Sequence, residues 1–229
     1  MTFLSIPLLY WFAGFALVLP RIPVIGKWFN LINTAIHELG HALMALILEG
    51  SVKKIELFND ASGTTTTTTT KFGGFLVAIV GYPFSSFISY FIFYLLSVGY
   101  DKGFLIGISI LFLFMLLLWV RNIYGAIWII AFCAINGYLI YLSNAKYIQI
   151  AALLYAVFIA VDALFSALTV LYLSFKQKDK AGDATLLKKI TGIPAFIWGL
   201  IFAGIAGGVF YAIIEGSNLS SLTSISLCT

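Results

Sequence analysis

The chain is made of long apolar runs divided by short polar breaks, and that alternation decides what it can fold into. Residues 3–19, 28–48, 72–99, 103–120, 123–142, 147–175 and 193–214 hold at most one charged side chain each. A helix crossing a hydrocarbon core of about 30 Å needs about 20 apolar residues. Inside lipid the backbone must satisfy its own hydrogen bonds, which leaves helices as the fitting element for runs this long. The runs predict an all-α polytopic membrane protein of seven transmembrane helices. The count drops to six if the Arg121-Asn122 break does not turn the chain around, and 147–175 is long enough to leave the bilayer before its end. Composition agrees: 62% of the residues are hydrophobic and 10% charged, against about a quarter charged in soluble domains.

The whole of 1–229 reads as one integral membrane domain. Its first run, 3–19, lacks a basic leader and a small-x-small cleavage site, so it is expected to stay as a span. The net charge of +4 does not point to nucleic acid, because the cations are dispersed and flank apolar runs, where lipid headgroups account for them. With seven spans, one side of the bilayer collects the Lys and Arg of 49–71, Arg121 and 176–189. The positive-inside bias then puts that side and the N-terminus in the cytoplasm. Cys133 lies in an apolar run and Cys228 next to the last residue, which excludes a disulfide framework.

Two segments between runs carry their own pattern. Within 49–71, Val52, Ile55 and Leu57 precede Asn59-Asp60 and Ser62-Gly63, which suggests a strand and a turn. Thr64 to Thr70 continue as β-branched sequence. The stretch is either a low-complexity linker or a short β-hairpin-like insertion after the second helix, at the membrane edge, able to pair with an extended peptide. In 176–192 a basic loop leads to a short interfacial helix, with Asp183 as N-cap, Lys188 and Lys189 in its last turn, and Gly192 and Pro194 ending it.

Both histidines of the chain fall in His37-Glu-Leu-Gly-His41, inside the second run. On a helix, positions i and i+4 share a face about 6 Å apart, so both imidazoles can reach one metal ion. Two nitrogen ligands beside a carboxylate suit zinc hydrolysis, in which Zn2+ acidifies a water and Glu38 takes and returns the proton as catalytic base and acid. Burying Glu38 and two imidazoles in hydrocarbon without a compensating partner costs several kcal/mol. That cost disfavours a merely structural role. Asn30, Asn33 and Thr34 extend the polar face upstream and are candidates to hold the second ring nitrogens.

A catalytic zinc takes three protein ligands, and with the histidines used the third should be a carboxylate. Asp162 is the acidic residue deep in a later apolar run, about fifteen residues after Tyr147, or about 23 Å along a helix. The metal set is therefore expected to be His37, His41 and Asp162. Two alternatives stay open: Asp183 folds back to the metal, or Asp162 is a structural aspartate paired with Arg121, Asn122 or Asn136.

These residues resemble the site-2 protease family of intramembrane zinc metallopeptidases, in its compact branch without a PDZ domain. The likeness rests first on Asn33-Thr-Ala-Ile-His-Glu-Leu-Gly-His41 in an early membrane helix. It continues through Gly63, the Gly-rich Phe72-Gly-Gly-Phe-Leu-Val-Ala-Ile-Val-Gly-Tyr-Pro83, Arg121-Asn-Ile-Tyr-Gly125, Asp162, and Gly182-Asp-Ala-Thr-Leu-Leu-Lys-Lys-Ile190 with Thr191-Gly-Ile-Pro-Ala-Phe-Ile-Trp198. The resemblance implies a membrane zinc endopeptidase in a prokaryotic plasma membrane. Its substrates would be transmembrane or membrane-proximal proteins, with the lipid bilayer as its medium. The Asn-Pro-Asp-Gly or Leu-Asp-Gly setting of the family's third ligand is absent here. Two other functions remain compatible with the residues: a metal- or proton-coupled transporter, and a catalytically inactive, protease-like membrane chaperone.

Overall fold

The computed structural model describes residues 25–177 and 179–216, so the first apolar run lies outside the described residues. The order is α1 (Ile25–Ile47), β1 (Ser51–Leu57), β2 (Gly63–Thr68), α2 (Lys71–Ser97), α3 (Asp101–Leu118), α4 (Ile123–Tyr141), α5 (Ala145–Lys176), α6 (Gly182–Thr191) and α7 (Ala195–Gly216). Among the described residues five helices are long and apolar enough to cross a membrane, α2, α3, α4, α5 and α7. The protein is therefore a multi-pass, predominantly helical membrane protein. The helix with the histidines, α1, is not in that group, and α6, with ten residues, is too short to span.

The helix α5 is the hub. Its 32 residues extend about 48 Å, longer than a hydrocarbon core, as its long apolar run led one to expect. It packs on α1, α2, α3 and α7. One apolar core joins α1, α3, α4 and α5 through interlocked rings of Trp28, Phe112, Trp128, Phe132 and Tyr155. Trp128 Nε1 donates to the Trp28 carbonyl at 3.1 Å, so the indole buried there keeps a partner. A second core joins α2, α5, α6 and α7 and is built largely from alanines, Ala78, Ala167, Ala181, Ala184, Ala195 and Ala206. Small side chains let the short α6 settle close against the spans.

The 49–71 segment is a hairpin, which rules out the linker reading. It follows α1, the first described helix, and pairs antiparallel from Ser51 with Thr68 to Leu57 with Gly63. The irregular spacing of Val52 and Ile55 in the sequence corresponds to a bulge between Val52 and Lys54. The threonine tract alternates in burial, with Thr65 and Thr67 inward and Thr64, Thr66 and Thr68 exposed. Seven identical residues hide that alternation from any reading of pattern. In the turn, the hydroxyl and amide of Ser62 donate to Asp60 at 2.6 and 3.0 Å and hold its carboxyl below the usual range.

The Arg121-Asn122 break has a structural task besides linking α3 and α4. Ile55 N donates to Trp119 O and Arg121 N to Ile55 O, so this segment lies along the outer side of β1. Asn122 adds a two-way clamp: Leu57 N donates to its Oδ1 at 3.1 Å and its Nδ2 donates to Leu57 O at 2.6 Å. The hairpin is thereby fixed to the bundle, and β2 is the sheet's other edge.

Candidate metal centre

The apolar face of α1, with Leu31, Ile32, Ala35, Ile36, Leu39 and Ala42 fully buried or nearly so, turns the opposite face toward α2, the hairpin and α6. His37, Glu38 and His41 lie on that face and line a cavity of about 490 Å³. The i, i+4 spacing brings the two rings within 4.6 Å, nearly perpendicular, with their Nε2 atoms 3.0 Å apart.

The third group of the cluster is Asp183. Its Oδ2 lies 3.2 Å from His37 Nε2 and 3.3 Å from His41 Nε2, and His37, His41 and Asp183 form a set able to hold one metal ion. Asp162, the expected third ligand, is not in this cluster. Its Oδ2 accepts from Asn33 Nδ2 at 2.9 Å, one helical turn before His37. The three partners weighed for a structural Asp162 are engaged elsewhere: Arg121 donates to the Val120 carbonyl, Asn122 clamps Leu57 and Asn136 donates to Ser109. Depth in an apolar run does not mark the carboxylate nearest the histidines: the first turn of α6, packed on α2, α5 and α7, brings Asp183 to both rings. Asp183 is also not the N-cap: that position is Ala181, without a side-chain cap, and the carboxylate points to the histidines. Gly192, at φ 77°, ends the helix as anticipated.

The donor set fits zinc. Bonds of about 2.0–2.1 Å place tetrahedral ligand atoms about 3.3 Å apart, and the three observed separations are 3.0, 3.2 and 3.3 Å. The tautomer fits as well. His41 Nδ1 lies 2.7 Å from the Val77 carbonyl, which can only accept, so Nδ1 carries the proton and the neutral ring offers a lone pair at Nε2. That lone pair faces the Asp183 carboxylate, a crowding of acceptors that a shared cation or a proton must relieve. Where a proton relieves it, the imidazoles are cationic, and His41 and His37 then hold the Asp183 carboxyl below the usual carboxylate range against the effect of burial.

Neighbouring elements fix these side chains, in part differently from expectation. The partner of His41 Nδ1 comes from α2, not from the polar face of α1. Asn33 instead serves Asp162, while Thr34 Oγ1 donates to Ala61 O at 2.8 Å and ties down the hairpin turn. Gly81 allows α2 to lie on the rings: a Cβ there would stand 2.5 Å from His37 Cε1 and 2.7 Å from His41 Cε1. Gly63 plays the same part for the hairpin, with Glu38 Cγ 2.7 Å from where its Cβ would be. Glu38 is 5% exposed, and its Oε2 accepts from Thr65 Oγ1 at 2.6 Å. Val77 and Thr65 escaped the sequence reading because an apolar run and a threonine repeat conceal them, whereas Gly81 lies in the Gly-rich stretch already noted.

A membrane bundle whose first described helix offers two histidines and a carboxylate to a cavity, completed by an aspartate from elsewhere, is the architecture of a membrane metallopeptidase-like protein. The chain belongs to the Peptidase M50B-like family, which it matches over residues 8–213. None of the curated proteins and none of the solved structures compared with it matches.

Proposed function

We propose that the protein is an intramembrane zinc endopeptidase of the compact, PDZ-free type, acting on transmembrane or membrane-proximal protein substrates. The observation that carries this is the convergence of His37 Nε2, His41 Nε2 and Asp183 Oδ2 within 3.0–3.3 Å, in a cavity that Glu38 also lines. The ligand assignment is His37, His41 and Asp183. Zinc bound there supplies an acidified water and polarises the scissile carbonyl.

The chain's own residues do the rest. Glu38 takes the proton of the attacking water and passes it to the leaving amine. Thr65 orients that carboxylate through Oε2 and leaves Oε1 for the water. The His41 proton on Nδ1 is anchored by Val77, which keeps Nε2 directed at the ligand point. Asp162 braces α1 through Asn33, holding the catalytic helix against α5. The substrate must unwind for its carbonyl to be attacked, because a helix hides it in a hydrogen bond. With β1 occupied by Trp119 and Arg121, β2 is the edge beside the cavity where an unwound segment can pair.

The test compares wild type with Glu38→Gln, both reconstituted with a generic transmembrane substrate and assayed for zinc. The expected result is equal zinc in both and cleavage by wild type alone. Equal cleavage by both refutes the mechanism, and a wild type no richer in zinc than a His37→Ala, His41→Ala double variant refutes the site.

A further inference from the structure

The wall of the metal centre formed by α2 offers one group that the steps above do not use. Val77 and Gly81 lie directly on the histidines, and Tyr82 follows them. Its ring stands 4.4 Å from that of His37, edge to face at 66°, and 4.9 Å from that of Phe202, so it is wedged between a candidate ligand and α7. It lines the metal cavity and the adjoining one of about 540 Å³, and is close enough to Asp183, Glu38 and Asp162 to feel all three charges.

Among the described residues Tyr82 hydrogen-bonds through its main-chain carbonyl, which accepts from Ser85 Oγ and Ser86 Oγ. Its hydroxyl has no partner among them. It is not one of the buried unpartnered atoms, so it opens onto the cavity and is accessible to a bound group. The polar donors nearest the histidines on α1 and β2 are already engaged: Asn33 with Asp162, Thr34 with Ala61, Thr65 with Glu38. Among the described residues a phenol O–H is thus a donor left free in the wall of the metal cavity, on a ring that stands against His37.

We propose that Tyr82 is a catalytic residue whose hydroxyl donates a hydrogen bond to the substrate's carbonyl oxygen as that oxygen becomes negative. The proposal rests on the peptidase reading. As the water oxygen bonds to the carbonyl carbon, the π pair moves onto the carbonyl oxygen, and the bond from Tyr82 strengthens there. No proton leaves the phenol. When the C–N bond breaks, the pair returns to reform the carbonyl, and Glu38 gives its proton to the amine. A donor aimed at charge that develops only in the transition state lowers the barrier without tightening substrate binding.

Tyr82→Phe keeps the ring against His37 and Phe202 and removes only the hydroxyl. Three readouts apply: zinc content, kcat and KM on a transmembrane substrate, and affinity for a phosphinic peptide whose tetrahedral anion mimics the attacked carbonyl. The expected result is unchanged zinc, kcat lower by about a hundredfold with KM little altered, and weakened phosphinate binding. Equal kcat and equal phosphinate affinity overturn the proposal, and so does loss of zinc, which would make the hydroxyl a support of the ligands. A wild type that cleaves nothing overturns the peptidase reading instead. In that event the phosphinate decides for Tyr82: hydroxyl-dependent affinity upholds the donor, equal affinity overturns it.

Discussion

Exchanging Asp183 and Asp162 separately for asparagine asks which carboxylate holds the metal. Zinc sites with four protein ligands bind with about 10–16 kcal/mol, about 2.5–4 kcal/mol for each ligand, or about two to three decades in Kd at about 1.4 kcal/mol per decade. Asp183 Oδ2 is one vertex of the 3.0–3.3 Å triangle with the two Nε2 atoms, so Asp183→Asn should raise the zinc Kd about 100- to 1,000-fold. Asp162 contacts Asn33 rather than a ligand, and Asp162→Asn should change the Kd by less than the about tenfold that even a direct partner of a ligand commands. The cost of altering Asp162 should fall on the fold. Asp162→Ala leaves the buried Asn33 Nδ2 without its acceptor, worth about 1–3 kcal/mol, and should lower the Tm of the metal-free protein. Competition with a chromogenic chelator in detergent measures the Kd, and a thermal melt of the apo forms shows whether each variant is folded. Loss of zinc by a folded Asp162→Asn, with Asp183→Asn still loaded, would refute the assignment.

Two further substitutions probe how neighbouring elements set the site. Gly81→Ala places a Cβ 2.5–2.7 Å from the imidazole atoms, so the rings must shift, and the zinc Kd should rise by at least about tenfold; unchanged affinity would mean that α2 does not rest on the histidines. Thr65→Val removes the 2.6 Å hydrogen bond to Glu38 Oε2 and nearly preserves side-chain shape. A hydrogen bond to a charged group is worth about 1.5–3 kcal/mol, so kcat should fall about tenfold or more with zinc content unchanged, and an unaltered kcat would show that Glu38 is oriented by other means.

The parts of this protein that were legible in its sequence are those whose causes lie close together along the chain. Five of the seven apolar runs became helices long and apolar enough to span, among the described residues, because a helix in lipid satisfies its backbone internally. The i, i+4 histidines with an intervening glutamate set three polar side chains on one face of α1, lining one cavity, because one helical turn is enough to align them. Asn59-Asp60 and Ser62-Gly63 marked the hairpin turn through local backbone preference. What required the tertiary structure was every choice among distant partners. Asp162 and Asp183 both carry a carboxylate, and depth in an apolar run favoured the first, but the return of α6 through an alanine-lined contact brings the second to the histidines. Likewise, nothing local distinguishes Thr65 from the other threonines of its tract or assigns His41 to the Val77 carbonyl. Spacing along a helix specifies which side chains share a face, whereas the group that meets that face depends on how separate helices pack, a sum of many contacts spread over the whole chain.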